Sequence, residues 1–310
     1  MLFQTALASL AALGTCAGLP AGNMKDPHNW GDYMLDKYEA ERQVPAHLEP
    51  GPAPLAHPRT VLLITGVTIP AVWFEPIKAR LVRDGFRPVV YEPPALLSGD
   101  LFENSEALAT VVDTIRAQTG EDKIDILAEC TGGLIARHYI QSLGGDEHVS
   151  RLVTFISPQH GLPKAPIAFD VAGWPALAHL SPGSDFLHAV NDAPLPANVP
   201  ITSIYTSTDE FIQPYETSII PGAHNIDLGG NGFVGHFEFF WNPEIYLVMH
   251  TALTEHVASD DPATTPDPDA PDPTTADDGG GCNAGGNAAG GTLLLVFGML
   301  VAARRRRHLR

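Results

Sequence analysis

A short segment near the middle of the chain constrains the fold more than any other, Ala128-Glu129-Cys130-Thr131-Gly132-Gly133. An apolar run at 124–127 precedes it and predicts a buried strand, while the stretch at 134–140 that follows predicts a helix. Small residues on both sides of Cys130 let the strand and helix backbones approach closely. This pattern is typical of a nucleophile elbow, usually G-x-S-x-G. Here Ala128 replaces the first Gly and Cys130 replaces Ser, so the motif alone also fits a buried structural cysteine.

The sequence around this segment alternates predicted strands with predicted helices. Strands are predicted at 60–65, 88–91, 124–127, 152–156 and 201–206, and helices at 73–84, 104–119 and 134–140. The continuous apolar run at 60–65 is typical of a parallel strand that is covered on both faces. The alternation predicts an α/β fold with a mostly parallel, doubly wound sheet. Nucleotide binding is disfavoured because neither a G-x-G-x-x-G nor a P-loop motif occurs.

Charge and cysteine usage exclude several classes of partner and cofactor. The 310 residues carry a formal net charge of -18, which argues against nucleic acid, since phosphate binding needs a basic surface. The cysteines are Cys16, Cys130 and Cys282, and only Cys130 lies within the folded body. No internal disulfide is therefore expected, and the lone thiol is either reactive or buried and inert. No metal-ligand set emerges, and no cofactor is expected.

Both ends of the sequence differ from the body in composition. Residues 1–22 are apolar and end in small residues, which predicts a signal peptide, and residues 23–58 form an N-terminal extension. The main domain is assigned to 59–258. Residues 259–281 are rich in Asp, Pro and Thr and predict a disordered linker, because such a segment cannot bury a core. Residues 282–310 contain an apolar run at 292–303 and four arginines at 304–307, a predicted sorting or membrane-spanning tail.

A cysteine nucleophile needs a base and an orienting acid. In folds with this elbow the three groups follow the order nucleophile, acid, histidine. Asp209 follows the predicted strand at 201–206 and is the favoured acid, with Glu210 as the alternative. His236 lies in a later predicted loop and is the favoured base, with His224 as its rival. Order and loop context alone distinguish His236 among 13 histidines.

Several motifs occur in the order found in the fungal lipase B group and the bacterial class 2 lipases, which are α/β-hydrolases. The chain resembles these families over roughly 60–253, and the matching stretches lie at 62–66, 85–94, 129–133, 157–161 and 199–214. The resemblance implies a catalytic triad of Cys130, Asp209 and His236. It also implies that the backbone N–H groups of Val67 and Thr131 form the oxyanion hole.

The chain departs from the family pattern at the site itself. Thr65 stands where His or Pro is usual, Thr131 where Gln is common, and Glu129 places a carboxylate beside the thiol. The resemblance nevertheless implies a lipase- or esterase-like carboxylic ester hydrolase, working through an acyl-thioester on Cys130. Enzymes resembling dienelactone hydrolase also use cysteine on this fold. The alternative is a weakly active or inactive surface protein that binds a lipid or acyl chain.

An apolar, proline-rich region follows the predicted strand at 152–156. Its residues do not fit one helical stripe, and a segment after the carboxyl end of a strand can line a substrate entrance. The sequence therefore predicts that Leu162, Ile167 and Trp174 bind an acyl ester or lipid substrate.

The tail resembles a C-terminal sorting signal of the MYXO-CTERM type, in which a Cys near glycines precedes an apolar run and arginines. This implies export, processing near Cys282, and attachment to the cell surface or outer membrane, or secretion. The membrane is then a predicted partner through the tail. The sequence indicates no oligomeric state.

Overall fold

The computed structural model describes residues 51–229 and 234–255, and its centre is a sheet of parallel strands. The order across the sheet is β2-β1-β3-β4-β5-β6, and every neighbouring pair is parallel. The strands are β1 (Thr60–Ile64), β2 (Arg87–Tyr91), β3 (Ile124–Glu129), β4 (Val149–Phe155), β5 (Ile201–Tyr205) and β6 (His224–Asp227).

Helices connect these strands. They are α1 (Glu75–Arg83), α2 (Leu101–Thr119), α3 (Thr131–Ser142), α4 (Ala165–Ala172), α5 (Pro175–His179), α6 (Asp185–Asn191) and α7 (Pro243–Thr254). Single 3-10 turns lie at Ala71–Phe74, Pro94–Leu97, Gly145–Glu147, Tyr215–Ser218 and His236–Phe240. The longest helix, α2, is capped at its start by Asp100, whose carboxylate accepts from two backbone N–H groups, and ends at Gly120 with φ 72°.

Strand β1 shows why both faces of the sheet are covered. Its side chains alternate, so Leu62 and Ile64 join an apolar core with α2 and α3. Val61 and Leu63 join a second core on the other face with α1 and α7. The predicted α/β fold with a mostly parallel, doubly wound sheet is therefore confirmed.

The structure differs from the sequence expectations in several places, and α7 is a helix that the sequence analysis did not predict. The region predicted as one helix over 73–84 divides into a 3-10 turn and α1, because Pro76 favours the first turn of a helix. Residues 161–200, for which no helix was predicted, contain three short helices, α4 to α6. His224 begins β6, a strand that the sequence did not predict because Ile226 is its one large apolar residue.

Most of the assigned terminal segments lie outside the described residues. These are the predicted signal peptide at 1–22, the linker at 259–281, the tail at 282–310, and all but 51–58 of the extension. Residues 51–58 form no helix or strand, but Leu55 donates its N–H to the Asp84 carbonyl at 2.9 Å. Within 51–229 and 234–255 we find no helix whose length and apolar character would let it cross a bilayer.

A buried charge cluster lies at the amino end of β3. Asp125 is 1% exposed, and its carboxylate lies 3.2 Å from Arg59 Nη2 and 3.4 Å from Arg151 Nε. Burial raises the pKa of Asp125 to about 6 although both guanidinium groups oppose the rise. The carboxylate therefore depends on the two cations to remain charged.

We expect Arg151→Met to lower the free energy of unfolding by roughly 2 kcal/mol near neutral pH, because one partner of a buried ion pair is lost while Arg59 remains. Asp125 takes up its proton at a higher pH in the folded state than in the unfolded chain. The variant raises that folded-state pKa further, so its deficit should be larger at about pH 8 than at about pH 5. Urea unfolding at both pH values measures this.

Lys78→Met, which breaks an exposed pair with Glu75 at 3.3 Å, is the control and should cost under ~1 kcal/mol. Equal deficits at both pH values would contradict the prediction.

Candidate active site

Cys130 occupies the turn between β3 and α3 with φ 48° and ψ -124°. A positive φ is unusual for a residue with a side chain, and such strain persists only where the surroundings enforce it. Here the Cys130 N–H donates to the Phe155 carbonyl at 3.0 Å, and Ser157 Oγ donates to the Cys130 carbonyl at 2.5 Å. The predicted elbow is thus a strained turn held from both sides by β4 and the loop after it.

A chain of buried polar side chains supports this turn from below. Gln159 Nε2 donates to Ser157 Oγ at 2.7 Å, and Arg137 Nη1 donates to Gln159 Oε1 at 2.8 Å. Arg137 belongs to α3 and is 2% exposed, so the helix that follows Cys130 also holds the group that braces it. Sequence reasoning did not assign these roles, although the 157–161 stretch carried part of the family resemblance.

The two glycines after Cys130 are required by packing. A Cβ on Gly132 would lie 2.9 Å from the Thr65 carbonyl oxygen, and one on Gly133 would lie 2.7 Å from Ser157 Oγ. A Cβ at either position would therefore force its neighbours to move. The small residues of the motif let α3 start directly against the end of β1.

His236 lies in the site with its ring oriented by Asp209. Nδ1 lies 2.8 Å from Asp209 Oδ2, and both residues are buried. Asp209 Oδ1 accepts the backbone N–H groups of Phe211 at 2.7 Å and Ile212 at 2.8 Å, which fixes the carboxylate. Glu210 Oε2 accepts the backbone N–H of His236 at 2.9 Å and so holds the loop instead of the ring. Of the two candidate acids, Asp209 is the one that contacts the imidazole.

Glu129 points into the same site, an orientation that the sequence left open. Its side chain is 1% exposed, and Oε2 accepts the Gly66 N–H at 2.5 Å. Oε1 lies 3.9 Å from His236 Nε2 and makes no hydrogen bond of ordinary length among the described residues, while the Cys130 thiol lies close enough to oppose the rise of the Glu129 pKa. Burial raises the pKa of Glu129 to about 7, although His236 and the Gly66 N–H oppose the rise. The carboxyl is therefore a second acidic group beside the imidazole.

The reactive atoms lie close together and are electrostatically coupled. Cys130 Sγ, a His236 ring nitrogen and a Glu129 carboxylate oxygen all lie within 4.8 Å of one another. Burial raises the pKa of the Cys130 thiol well above its usual value, and the Glu129 charge adds to the rise. Burial lowers the pKa of His236, but the Asp209 contact and the Glu129 and Glu210 charges outweigh it and raise the pKa to about 9. The resting site thus favours a neutral thiol over a preformed thiolate.

The same three groups are the one set within the described part of the chain that is compact enough to share a metal ion. A thiolate, an imidazole and a carboxylate are ligands that zinc accepts. Assays of this site should therefore contain a chelator.

The two amides predicted for the oxyanion hole follow neighbouring strands. Val67 comes shortly after β1, and Thr131 is the first residue of α3, where helix geometry leaves the N–H without an intrahelical partner. Among the described residues, neither amide donates to an oxygen in a turn, loop or cap, but the Thr131 N–H interacts with the Cys130 sulfur and opposes the rise of the thiol pKa. Their role stays a prediction.

The three residues predicted to bind substrate have different surroundings. Leu162 packs against the core that contains α2 and α3. Ile167 is 61% exposed on α4, and Trp174 is half-buried just before α5. In the described residues no hydrogen bond or ring contact joins Ile167 or Trp174 to Cys130, so substrate binding there also stays a prediction.

Solved structures with this architecture include several lipases. Aspergillus fumigatus lipase B superposes with a TM-score of 0.58 at 21% identity, covering 69% of this chain and 58% of that chain. A Bacillus licheniformis lipase in its propeptide form gives a TM-score of 0.57 at 15% identity, covering 69% of this chain and 54% of that chain. The fold is that of an α/β-hydrolase.

Sequence similarity agrees with the fold. Pseudozyma antarctica lipase B is 28% identical over 173 residues, which cover 53% of this chain and 49% of that protein. The chain thus spans about half the length of the lipase B that it matches. Residues 99–217, which include Cys130 and Asp209, match the family model of palmitoyl protein thioesterase. The predicted resemblance to fungal lipase B and bacterial lipases is therefore confirmed.

Proposed function

We propose that this protein is a lipase- or esterase-like hydrolase that cleaves acyl esters through a covalent thioester on Cys130. The main support is the arrangement of three side chains. Cys130 lies on a strained turn, and a ring nitrogen of His236 lies within 4.8 Å of its sulfur. Asp209 orients the His236 ring through a contact of 2.8 Å. Nucleophile, base and orienting acid follow the same logic in other acyl-transfer sites.

In the reactive form, His236 carries its proton on Nδ1, which donates a hydrogen bond to Asp209, and Nε2 is unprotonated. Nε2 takes the thiol proton as Cys130 Sγ attacks the acyl carbonyl. The N–H groups of Val67 and Thr131 are proposed to stabilise the resulting oxyanion. The intermediate collapses to an acyl-thioester, which water then hydrolyses with His236 as base. Because the resting imidazole has a raised pKa, this neutral form becomes more populated as the pH rises.

The exposed apolar side chains of α4 support an apolar acyl substrate. Helix α4 follows the loop after β4 and exposes Ile167 by 61%, Val171 by 56% and Phe169 by 37%. Clustered exposed apolar side chains are typical of surfaces that contact an apolar partner. The names of the relatives, lipase and palmitoyl protein thioesterase, point the same way. The proposed setting, an exported protein at the cell surface, rests on the sequences of residues 1–22 and 282–310.

The test is covalent trapping of the acyl intermediate. The full chain is mixed with a nitrophenyl hexanoate in the presence of chelator, quenched in acid and measured by intact-mass and peptide mass spectrometry. We expect one hexanoyl group on the peptide that contains Cys130, because the leaving nitrophenolate makes acylation easy. Cys130→Ala is the matched control and should carry no acyl group there.

Hydrolysis without any label on Cys130, or equal labelling of the Cys130→Ala protein, would overturn the proposed mechanism. Tight binding of a hexanoyl ligand with neither labelling nor turnover would favour the alternative, a lipid- or acyl-binding protein on the same scaffold. Folding of each variant is checked by thermal unfolding.

A further inference from the structure

We propose that Glu129, Cys130 and His236 form a binding site for Zn²⁺, and that an ion bound there prevents acylation of Cys130. Zinc binding is independent of the proposed function, whereas its effect on acylation rests on that function. The sequence analysis found no set of metal ligands, because His236 lies far along the chain from the other two residues. The fold brings the three side chains together.

The distances between the ligand atoms are close to those that zinc requires. Cys130 Sγ, a ring nitrogen of His236 and a carboxylate oxygen of Glu129 lie within 4.8 Å of one another, and His236 Nε2 lies 3.9 Å from Glu129 Oε1. In a tetrahedral site with bonds of about 2.0 to 2.3 Å, neighbouring ligand atoms lie about 3.3 to 3.6 Å apart. A contraction of roughly 1 Å therefore brings all three atoms to bonding distance of one ion.

The groups that orient metal ligands are already in place. A histidine that binds a metal usually donates its second ring N–H to a carboxylate, and a ligating carboxylate is itself hydrogen-bonded. His236 Nδ1 lies 2.8 Å from Asp209 Oδ2, which leaves Nε2 for an ion. Glu129 Oε2 accepts the Gly66 N–H at 2.5 Å, which leaves Oε1 for an ion. Both ligands are thus held in orientation by contacts that zinc binding does not disturb.

Zinc binding also accounts for the buried carboxyl of Glu129, which the proposed hydrolysis does not use. Its side chain is 1% exposed, and Oε1 makes no hydrogen bond of ordinary length among the described residues. A buried charge is costly unless a partner compensates it. Zn²⁺ bound to one thiolate, one carboxylate and one neutral imidazole forms a complex without net charge. The ion therefore offsets the cost of burying both anionic ligands.

The ligand types favour zinc over the common hard cations. Thiolate and imidazole are ligands that zinc prefers, whereas Mg²⁺ and Ca²⁺ take oxygen ligands in larger coordination shells. Three protein ligands also leave the fourth tetrahedral position for water. The site thus matches zinc in both ligand chemistry and ligand number.

An ion in this position occupies both groups that acylation needs. Cys130 binds it as the thiolate and releases the thiol proton to solvent, so the ion engages the sulfur that would attack an acyl carbonyl. His236 Nε2 also coordinates the ion and cannot accept a proton. Zinc binding and acylation of Cys130 therefore exclude each other.

Binding is measured on the full chain after a chelator has removed bound metal and has itself been dialysed away. Zn²⁺ is titrated in competition with a chromogenic chelator. Co²⁺ is the spectroscopic probe, because its complexes with thiolate show a charge-transfer band. We expect this band in the parent protein and its loss in Cys130→Ala. Excess Mg²⁺ should displace neither ion.

Glu129→Gln tests the carboxylate ligand while keeping the shape of the side chain. Loss of an outer hydrogen-bond partner of a metal ligand costs about 10- to 100-fold in affinity. We therefore expect the loss of a ligand itself, in Glu129→Gln or in Cys130→Ala, to raise the Kd for Zn²⁺ at least ~100-fold. Cys130→Ala and the cobalt spectrum keep the test informative if Glu129→Gln folds poorly.

Glu210→Gln is the matched control for this substitution. Glu210 Oε2 accepts the backbone N–H of His236, a bond that a glutamine oxygen can also accept. The Kd for Zn²⁺ should therefore change by less than ~10-fold. Thermal unfolding without metal checks that each variant is folded.

The effect on acylation is measured with nitrophenyl hexanoate. Metal-free protein is compared with protein at a free Zn²⁺ concentration of about 100 times the Kd, where about 1% of the sites are free. We expect the hexanoyl group to appear on the Cys130 peptide ~100-fold more slowly with zinc, and a chelator to restore the rate. Mass spectrometry of the quenched protein gives both rates.

A cobalt charge-transfer band that persists in Cys130→Ala would overturn the proposed zinc site, and so would an unchanged Kd in Glu129→Gln. Unchanged labelling of the zinc-saturated protein would overturn the exclusion of acylation. If the metal-free protein is not labelled on Cys130, the proposed function is wrong and the effect on acylation fails with it. The cobalt spectrum and the Kd values then still decide separately whether the zinc site exists.

Discussion

Asp209→Asn is expected to reduce kcat about 10⁴-fold. The comparable carboxylate-to-amide change in a serine triad has this effect because the imidazole adopts the wrong tautomer. In this protein the contacts of Asp209 enforce the same outcome. Oδ1 accepts the N–H groups of Phe211 and Ile212, so an amide at this position keeps its oxygen there and turns its NH₂ group toward His236 Nδ1. Nδ1 then accepts, and the ring proton moves to Nε2.

A proton on Nε2 prevents His236 from accepting the thiol proton. Glu129 makes the wrong tautomer still more favourable, since its Oε1 lies 3.9 Å from Nε2 and can accept a hydrogen bond from a proton there. The measurement is steady-state hydrolysis of nitrophenyl hexanoate over a range of pH, with chelator present.

Glu210→Gln is the matched control because Glu210 was the rival acid. Its Oε2 accepts the backbone N–H of His236, and a glutamine oxygen can accept the same bond, so we expect a change of less than ~10-fold. A large loss in Glu210→Gln with a small one in Asp209→Asn would show that the acid is misassigned. Circular dichroism of both variants confirms that the loop has not unfolded.

The fold was predictable wherever hydrophobic pattern and turn chemistry agree. The β1 residues Val61 to Ile64 are all apolar, since each face of the strand meets its own core, and such a run has few alternatives to a buried parallel strand. The edge strand β6 was missed for the opposite reason. It presents His224, Asn225 and Asp227 around a single Ile226, so its identity comes from pairing with β5 and not from local composition.

The candidate site was predictable in its residue types but not in its contacts. Chain order and family resemblance pointed to Asp209 and His236. The neighbouring acids Asp209 and Glu210 could be distinguished only in the structure, where Asp209 contacts the His236 ring and Glu210 accepts the His236 backbone N–H. Glu129 shows the limit most clearly. Its direction depends on a hydrogen bond to Gly66, 63 positions earlier in the chain, and no local pattern encodes a contact of that separation.

Gly66→Ala is expected to lower kcat by about 10²- to 10³-fold, although the change adds only a methyl group. A Cβ here would lie 2.5 Å from Glu129 Oε2 and 2.7 Å from Cys130 Cβ. The methyl group therefore displaces the nucleophile, the buried carboxyl, or the loop that carries the Val67 amide. Loss of one oxyanion donor costs about this much, and a misplacement of ~1 Å costs ~10²-fold. Overpacking should also cost roughly 1–3 kcal/mol of stability.

Gly99→Ala is the control, since a Cβ there would find only Asn104 Nδ2, at 3.7 Å, within contact range. It should leave kcat unchanged. The double variant Gly66→Ala/Glu129→Ala removes one of the two clashes but keeps the contact with Cys130 Cβ. Partial recovery of kcat relative to Gly66→Ala would show that the clash with the Glu129 carboxyl causes part of the loss. No recovery would show that the loss comes from displacement of Cys130 and of the loop after β1. Full activity in Gly66→Ala would mean that the site tolerates a Cβ at this position. The close packing of Gly66, Glu129 and Cys130 would then not be needed to position the thiol.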